Sequence, residues 1–242
     1  MLVTGGNRGI GAATARLAAA AGYAVAITYR EREADAAQVV ADVERAGARA
    51  LAVPADVGDE ASVLRLFEAV ERFGPLAVLV NNAGVTGGVS RLADLALEQL
   101  EQVLRVNVVG AFLCAREAVR RMSTARGGRG GAIVNVSSGA AQQGSAGVWI
   151  HYAATKGALD TLTVGLAKEV AAEGIRVNAV RPGLIDTEIH AARDPQQLAS
   201  MARAIPMGRI GRPDEIAHAI LWLASPEASY VTGALLDARG GL

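Results

Sequence analysis

Short runs of Val, Ile and Leu alternate along this chain with longer amphipathic stretches rich in Ala, Leu, Arg and Glu. The short runs have the length of strands that are buried on both faces, and the longer stretches have the helical period. The pattern predicts strands near 2–4, 24–29, 49–53, 76–81, 131–137, 175–180 and 234–237. It predicts helices near 9–21, 32–46, 59–73, 97–125, 151–173 and 213–224.

Strands that alternate with helices in this way are typical of a parallel sheet with helices on both faces. The sequence contains no linker, repeat or low-complexity block, so we expect one domain over residues 1–242. The predicted fold class is α/β: a single-domain Rossmann fold with a doubly wound parallel sheet of about seven strands.

Composition narrows the functional classes. A hydrophobic content of 51% and a mean hydropathy of +0.27 allow a large core and argue against disorder. The formal net charge of zero gives no support for nucleic acid or an anionic membrane as partner. Cys114 is the single cysteine, and no leader-like segment or membrane span is evident, so we predict a cytoplasmic location. No cluster of His, Cys, Asp or Glu has metal-ligand spacing, so we predict no metal.

A Gly-rich turn, Thr4-Gly5-Gly6-Asn7-Arg8-Gly9-Ile10-Gly11, follows the first predicted strand and opens the first helix. Glycines at 5, 9 and 11 allow a tight turn and the close approach of a pyrophosphate, which the free N–H groups of a helix N-terminus can bind. A second predicted strand ends about 20 residues later, as in dinucleotide-binding units. The motif therefore predicts a dinucleotide site.

The end of the second strand bears on which dinucleotide binds. The acidic residue that would bind a ribose 2′-hydroxyl is missing, and the chain has Tyr29 followed by Arg30. With Arg8 in the Gly-rich turn, two guanidiniums are available for a 2′-phosphate. This favours NADP (NADPH), with NAD less favoured. The alternative is that both arginines belong to an ordinary solvated surface.

Two further segments follow predicted strands. Asp56-Val57 comes after the third, and Asp56 either hydrogen-bonds an adenine amino group or begins a turn before a helix capped near Asp59. Asn81-Asn82-Ala83-Gly84 ends the fourth strand, at the sheet edge where open α/β folds bind ligands. Its small residues would let the chain pass close to a ribose, and a plain Asn/Gly turn is the alternative.

Tyr152 and Lys156 lie four positions apart in a predicted helix and therefore on one face. Only two of the 24 basic residues are lysines, which indicates a function for an ammonium rather than a guanidinium at position 156. A neighbouring cation should lower the pKa of the phenol. The pair predicts a proton donor, with an unremarkable surface helix as the alternative.

Together these motifs resemble the classical short-chain dehydrogenase/reductases, and most closely the branch of bacterial 3-oxoacyl-carrier-protein reductases and glucose dehydrogenases. The matches occur in family order over nearly the whole chain. They are Thr4-Gly5-x3-Gly9-x-Gly11, Asn81-Asn82-Ala83-Gly84, Asn107 in a long helix, Ser138 after the fifth strand, Tyr152-x3-Lys156 and Pro182-Gly183.

The resemblance implies a catalytic set of Asn107, Ser138, Tyr152 and Lys156. Tyr152 would protonate a carbonyl oxygen as hydride arrives, or deprotonate an alcohol in reverse, and Ser138 would hold the substrate oxygen. Lys156 would support Tyr152 electrostatically and bind the nicotinamide ribose. Asn107 would bind a water that links Lys156 to solvent.

The resemblance also implies that Pro182-Gly183-Leu184-Ile185-Asp186-Thr187 covers the nicotinamide. Ile185 would offer backbone groups to the carboxamide, and Thr187 a hydroxyl to the amide or the diphosphate. A substrate lid would follow at about 187–206. Its residues His190, Arg193 and Met201 would line the substrate site together with Gln142, Gln143 and Trp149. The predicted cofactor-binding residues are Gly5, Asn7, Arg8, Gly9, Ile10, Gly11, Tyr29, Arg30, Asp56, Val57, Asn82, Ala83, Gly84, Tyr152, Lys156, Pro182, Gly183, Ile185 and Thr187.

The implied function is an NADPH-dependent carbonyl reductase that acts on a small-molecule ketone. An NAD(P)-dependent alcohol or sugar dehydrogenase working oxidatively is the alternative, and a non-catalytic dinucleotide sensor or scaffold is a remote one. Pairing of the long helices near 97–125 and 151–173, with a second contact at the C-terminal strand, implies a homodimer or homotetramer. The spacing from Ser138 to Tyr152 is one position longer than is commonest in the family. We place the extra residue in the loop Gly147-Val-Trp149-Ile150 at the mouth of the pocket, so the resemblance does not identify the substrate.

Overall fold

All strands of the structure run parallel in one sheet of order β3-β2-β1-β4-β5-β6-β7. The structure is a computed structural model that describes residues 1–188 and 194–242. The strands are β1 (Leu2–Val3), β2 (Val25–Tyr29), β3 (Ala50–Pro54), β4 (Val78–Asn81), β5 (Gly131–Val136), β6 (Ile175–Pro182) and β7 (Leu235–Ala238). The predicted fold class and each predicted strand are confirmed.

Helices cover both faces of this sheet. They are α1 (Gly9–Ala20), α2 (Glu33–Arg45), α3 (Glu60–Phe73), α4 (Leu97–Leu104), α5 (Gly110–Met122), α6 (Ala140–Gln143), α7 (Ile150–Val170), α8 (Pro195–Ala204) and α9 (Pro213–Ala224). The carboxylate of Asp59 accepts a hydrogen bond from the Ser62 N–H at 2.7 Å and caps α3, as predicted. The short α6 and the α8 helix were not predicted. Within the described ranges no helix has the length and apolar character needed to cross a membrane.

The strands are apolar throughout because successive side chains point to opposite faces of the sheet and helices cover both. Val3 and Val80 pack in one core with buried residues of α1, α2 and α9. Their neighbours Leu2 and Leu79 pack in a second core with buried residues of α3, α5 and α7. The two cores hold the strand ends rigidly at the edge where the site lies.

The predicted long helix over 97–125 is interrupted. Residues Arg105–Val109 form a π-helical turn between α4 and α5, and Asn107 lies inside it. Turns of this kind widen the helix by one residue and are frequent at functional sites. The sequence pattern missed the interruption because the apolar positions on either side continue the helical period.

The sheet order reverses between β1 and β4, so the connections that follow these two strands leave in opposite directions. In open α/β sheets this switch point creates a crevice at the carboxyl ends of the strands. The Gly-rich turn follows β1 and Asn82-Ala83-Gly84 follows β4, so both line the crevice.

Candidate active site

Two adjoining clefts lie along the carboxyl edge of the sheet. We call the first the arginine cleft, and it is lined by Gly5, Asn7, Arg8, Gly9, Ile10, Thr28, Tyr29, Arg30, Glu31, Arg32, Ala55, Asp56, Val57, Asn82, Ala83, Gly84, Val85, Val106, Thr187 and Glu188. We call the second the tyrosine cleft. It has a volume of about 520 Å³ and includes Ser138, Tyr152, Lys156 and Pro182 to Ile185. The two clefts share Ile10, Asn82, Gly84, Val85 and Thr187.

The Gly-rich turn requires glycine for space as well as for conformation. Gly5 has a φ of +60°, and a Cβ on Gly11 would lie 2.4 Å from the carbonyl oxygen of Gly5. Helix α1 starts at Gly9 without a side-chain cap from Arg8, and its first turn has no acidic residue. Its first N–H groups and the positive end of its dipole are therefore directed at the cleft, an arrangement suited to a phosphate.

Thr4 and Asn82 hold the Gly-rich turn against the turn after β4. The hydroxyl of Thr4 accepts hydrogen bonds from the N–H groups of Asn82 and Ala83, both at 3.0 Å. The amide nitrogen of Asn82 donates to the carbonyl oxygens of Thr4 and Gly5 at 2.9 and 3.0 Å. No role was predicted for Thr4. Its contacts join segments almost 80 positions apart, which no local pattern reveals.

Three arginines line the arginine cleft, and only two of them were predicted. Arg8 and Arg30 lie there with Tyr29, and Arg32 was missed although it is two positions beyond Arg30. Arg30 pairs with Glu31 at 2.7 Å. Arg8 and Arg32 both donate to the carboxylate of Glu188, Arg8 at 3.1 Å. Glu188 lies 180 positions from Arg8, so the sequence offered no signal for it.

Asp56 shapes the turn before α3, which was one of its two predicted roles, and it also faces the arginine cleft. Its carboxylate accepts hydrogen bonds from the Gly58 N–H and from the Arg105 guanidinium, both at 2.9 Å. The first contact shapes the turn before α3, and the second ties that turn to the π-helical segment. Asp56 and Val57 line the arginine cleft, so the residues predicted for the adenine end do come together there.

Ser138, Tyr152 and Lys156 come together in the tyrosine cleft. Lys156 is only 3% exposed, and its Nζ donates to the carbonyl oxygen of Val136 at 2.7 Å. The same nitrogen lies 5.5 Å from the centre of the Tyr152 ring. The hydroxyl of Ser138 accepts from the Ala140 N–H at 3.1 Å, which holds it at the end of β5.

Burial shifts both titratable groups toward their neutral forms. Burial lowers the pKa of Lys156 to about 8, with the Asp160 carboxylate acting in the opposite direction. Burial also raises the pKa of Tyr152. The side-chain hydrogen bond with Ser138 lowers this pKa, but by less than burial raises it. The expectation of a lowered tyrosine pKa is therefore wrong for the polypeptide itself. Desolvation of the phenolate outweighs the lowering of the pKa by the Ser138 hydrogen bond.

Asn107 connects the loop after β4 with α7. Its side-chain amide donates to the Val85 carbonyl oxygen at 2.9 Å and to the Thr155 hydroxyl at 3.0 Å, and it accepts from the Val85 N–H at 2.8 Å. The Thr155 hydroxyl donates to the carbonyl oxygen of Tyr152 at 2.7 Å. Thr155, which was not predicted, thus links Asn107 to the turn of α7 that carries Tyr152.

The rest of the tyrosine cleft is partly as predicted. Pro182, Gly183 and Ile185 line it, and Thr187 lines both clefts. Gln143, Trp149 and Met201 also line it, as predicted, whereas Gln142 does not. Gln197, Arg239 and Leu242 line it without having been predicted. The Trp149 ring meets the Tyr152 ring edge-on, with 6.1 Å between the ring centres. His190 and Arg193 lie outside the described residues.

The sequence itself matches a known family. The profile described as enoyl-(acyl carrier protein) reductase matches residues 5–242. The chain belongs to the short-chain dehydrogenase/reductase family, as its motifs indicated. It is an NAD(P)-dependent oxidoreductase that acts on alcohol and ketone groups.

Three similar proteins illustrate the range of this family. The chain is 51% identical over 242 residues to the uncharacterized oxidoreductase YgfF of Escherichia coli K12, covering 99% of this chain and 98% of that protein. It is 44% identical to the cis-4-hydroxycyclohexanecarboxylate dehydrogenase of Sinomonas cyclohexanicum, covering 99% and 94%. It is 37% identical to glucose 1-dehydrogenase 2 of Bacillus subtilis, covering 100% and 93%.

Solved structures agree closely with the fold. A short-chain dehydrogenase from Burkholderia cenocepacia in complex with NADP has a TM-score of 0.91 at 37% identity, with 99% of this chain and 96% of that chain covered. A 3-oxoacyl-[acyl-carrier protein] reductase from Brucella melitensis has a TM-score of 0.90 at 37% identity, covering 100% and 90%.

Proposed function

We propose that this protein is an NADPH-dependent carbonyl reductase in which Tyr152 is the general acid. The observation that carries the proposal is the meeting of Ser138, Tyr152 and Lys156 in one cleft that adjoins the Gly-rich turn. The NADP complex of the Burkholderia protein, which is similar over nearly the whole chain, supports the choice of cofactor.

The residues of the two clefts fit a phosphorylated dinucleotide. The glycine turn, the uncapped start of α1 and three guanidiniums suit phosphates, and the buried Thr28 hydroxyl in the arginine cleft has no partner among the described residues. We assign the diphosphate to Gly5, Asn7, Gly9, Ile10, Gly11 and Thr187, and the 2′-phosphate to Arg8, Tyr29, Arg30 and Arg32. We assign the adenine to Asp56 and Val57, the riboses to Asn82, Ala83, Gly84, Tyr152 and Lys156, and the nicotinamide to Pro182, Gly183 and Ile185.

In the proposed mechanism the nicotinamide, when bound, would supply the hydride, and side chains of the protein hold and donate the proton. The Ser138 hydroxyl holds the carbonyl oxygen, and the Tyr152 hydroxyl donates its proton to that oxygen. The raised pKa of Tyr152 keeps the phenol protonated at neutral pH, so the donor is ready before the substrate binds. The Lys156 ammonium then stabilises the phenolate that the transfer leaves behind.

Asn107 contributes to this mechanism as a positioning residue. Its side-chain hydrogen bonds go to Val85 and Thr155, so they fix the loop after β4 and the turn of α7 before Lys156. The side chain is 1% exposed, and the relay water that the family resemblance implies would have to bind to backbone groups of the π-helical turn. That water remains a prediction.

The oxidative alternative is favoured by the names of two relatives, a hydroxycyclohexanecarboxylate dehydrogenase and a glucose dehydrogenase. Reduction is the activity named for the similar Brucella melitensis 3-oxoacyl-[acyl-carrier protein] reductase. The raised pKa of Tyr152 also suits the protonated phenol that reduction uses. We place ketone reduction first and alcohol or sugar oxidation second. A dinucleotide sensor would need no proton donor, which places it last.

Absorbance of the reduced nicotinamide tests the three functions directly. The protein is assayed with a panel of ketones and NADPH or NADH, and with alcohols and sugars and the oxidised cofactors. Turnover of ketones with NADPH supports the proposal. Turnover confined to alcohols or sugars supports the dehydrogenase, and cofactor binding without any turnover supports the sensor.

Reduction should depend on the charge of Lys156. This side chain is a cation below its pKa of about 8, so we expect kcat to fall as the pH rises through that value. Because the Asp160 carboxylate raises the pKa of Lys156, Asp160→Asn should move the fall to lower pH. Profiles of kcat against pH at saturating NADPH measure both shifts, with thermal unfolding to check the fold of the variant. A flat wild-type profile up to pH 10 would contradict this role.

We also propose that the protein assembles into a homodimer or homotetramer. The α4–α5 region exposes Leu104, Val109 and Phe112, and α7 exposes Ala154 on an outward face. Trp222 and Tyr230 are exposed at the C-terminal side and offer a second contact. On the same helix Leu159 is 2% exposed and packs in the core.

Light scattering at micromolar concentration should give a mass of two or four chains. Replacing Val109 and Phe112 together by Asp should reduce that mass, because two charges would be buried in the contact. Leu64→Asp is a control, since Leu64 is an exposed apolar residue of α3 and is not part of the proposed contact. A stable wild-type monomer would refute the assembly.

A further inference from the structure

Glu188 joins two parts of the arginine cleft that are distant in sequence. Its carboxylate accepts hydrogen bonds from Arg8, at the start of α1, and from Arg32, at the start of α2. These guanidiniums and the carboxylate are each about half exposed, at 49, 51 and 47%. The three side chains line the same cleft as Thr28 and Tyr29.

The position of Glu188 is supported by its neighbour in the chain. Thr187 packs against the Gly-rich turn, because a Cβ on Gly9 would lie 3.4 Å from its Cγ2 atom. Arg32, the second partner of Glu188, has a φ of +63°, a left-handed conformation that is uncommon for a residue with a side chain. Besides its bond to Glu188, the Arg32 guanidinium lies 3.7 Å from the Asp35 carboxylate. The cations of the cleft are thus already paired with carboxylates of the protein.

We propose that Glu188 is a specificity-determining residue that competes with the 2′-phosphate of NADPH for Arg8 and Arg32. This rests on the proposed function, in which the arginine cleft binds that phosphate. The 2′-phosphate can pair with the two guanidiniums only after their hydrogen bonds to Glu188 break. The negative charge of the Glu188 carboxylate also repels the phosphate. A cofactor with a 2′-hydroxyl leaves the Glu188 contacts intact.

The competition should operate throughout the physiological pH range. The guanidiniums of Arg8 and Arg32 hold the pKa of Glu188 below its usual value, so the carboxylate stays charged. The substitution Glu188→Gln removes this negative charge, keeps the size and polarity of the side chain, and frees both arginines for a phosphate. Because the pairs are exposed, we expect the affinity for a 2′-phosphate to rise only about three- to tenfold.

Calorimetric titration with two nucleotide fragments isolates this effect from turnover. The full chain is titrated with adenosine 2′,5′-bisphosphate and with 5′-AMP, which differ only in the 2′-phosphate. Glu188→Gln should lower the Kd for the bisphosphate by about three- to tenfold and change the Kd for 5′-AMP by less than about twofold. Glu33→Gln removes the same charge from the first turn of α2, outside these ion pairs, and should leave both Kd values unchanged.

The ratio of the two Kd values separates this inference from the proposed function. If the wild type binds the bisphosphate no better than 5′-AMP, the preference for NADPH fails. If Glu188→Gln leaves the ratio unchanged or lowers the affinity for the bisphosphate, the competition by Glu188 is refuted whatever the wild type prefers. An equal gain in Glu33→Gln also refutes it, because the effect would then be one of net charge.

Discussion

Tyr152→Phe is expected to lower kcat for ketone reduction by about 10⁴-fold, the upper end of what general acid–base catalysis contributes. The change removes a single hydroxyl, while the ring keeps its edge-on contact with Trp149 and its place beside Lys156. The proton would then have to come from water, which lacks the fixed position of the phenol. Folding and NADPH binding should survive, because Tyr152 is only one of several residues assigned to the riboses and the contacts of the Gly-rich turn are unchanged.

Turnover is measured by the loss of reduced-nicotinamide absorbance, and NADPH binding by titration of its fluorescence. Tyr230→Phe is the matched control, because Tyr230 lines neither cleft and the loss of its hydroxyl should leave kcat unchanged. A Tyr152→Phe protein that binds NADPH and keeps more than about a tenth of the wild-type kcat would remove Tyr152 from the mechanism.

The wild-type protein is expected to prefer NADPH to NADH by about tenfold to a thousandfold in kcat/KM. A hydrogen bond to a charged group contributes about 1.5–3 kcal/mol, and exposed ion pairs contribute less than about 1 kcal/mol. Arg8, Arg30 and Arg32 are about half exposed, at 45 to 51%, so the lower ends of these ranges apply. A sum of about 1.5–4 kcal/mol corresponds to the expected ratio.

Tyr29→Asp combined with Arg30→Ala should erode or reverse this preference. The new carboxylate would repel a 2′-phosphate and can bind a ribose 2′-hydroxyl. The change should appear mainly in the KM for cofactor, because the phosphate is remote from the hydride. Arg65→Ala, at an exposed position of α3, controls for the loss of a surface cation. A wild-type preference for NADH would show that these arginines are only surface charges.

Much of the fold could be predicted because local patterns carry it. Buried parallel strands need unbroken apolar runs, and their helices need a periodic apolar face, so both leave a signal within a few residues. The Gly-rich turn is equally local, since Gly5 and Gly11 lie in positions that exclude a side chain. The π-helical turn at Arg105–Val109 left no such signal.

The identities of the candidate catalytic residues could be predicted from the sequence, but the directions of their pKa shifts could not. Tyr152 and Lys156 were found because they are four apart on one helix. The effect of burial on their pKa values depends on every element that covers them, and it reversed the expectation for Tyr152. A pair of residues four positions apart contains no measure of desolvation.

The sequence by itself determined the sheet, the glycine turn and the candidate acid and base, because each depends on residues that are close along the chain. Only the tertiary structure decided which distant residues meet. Thr4 with Asn82, Asn107 with Thr155, and Glu188 with Arg8 are pairs separated by 78, 48 and 180 positions. Such contacts depend on how the elements pack around the switch point of the sheet, and packing depends on the whole chain at once.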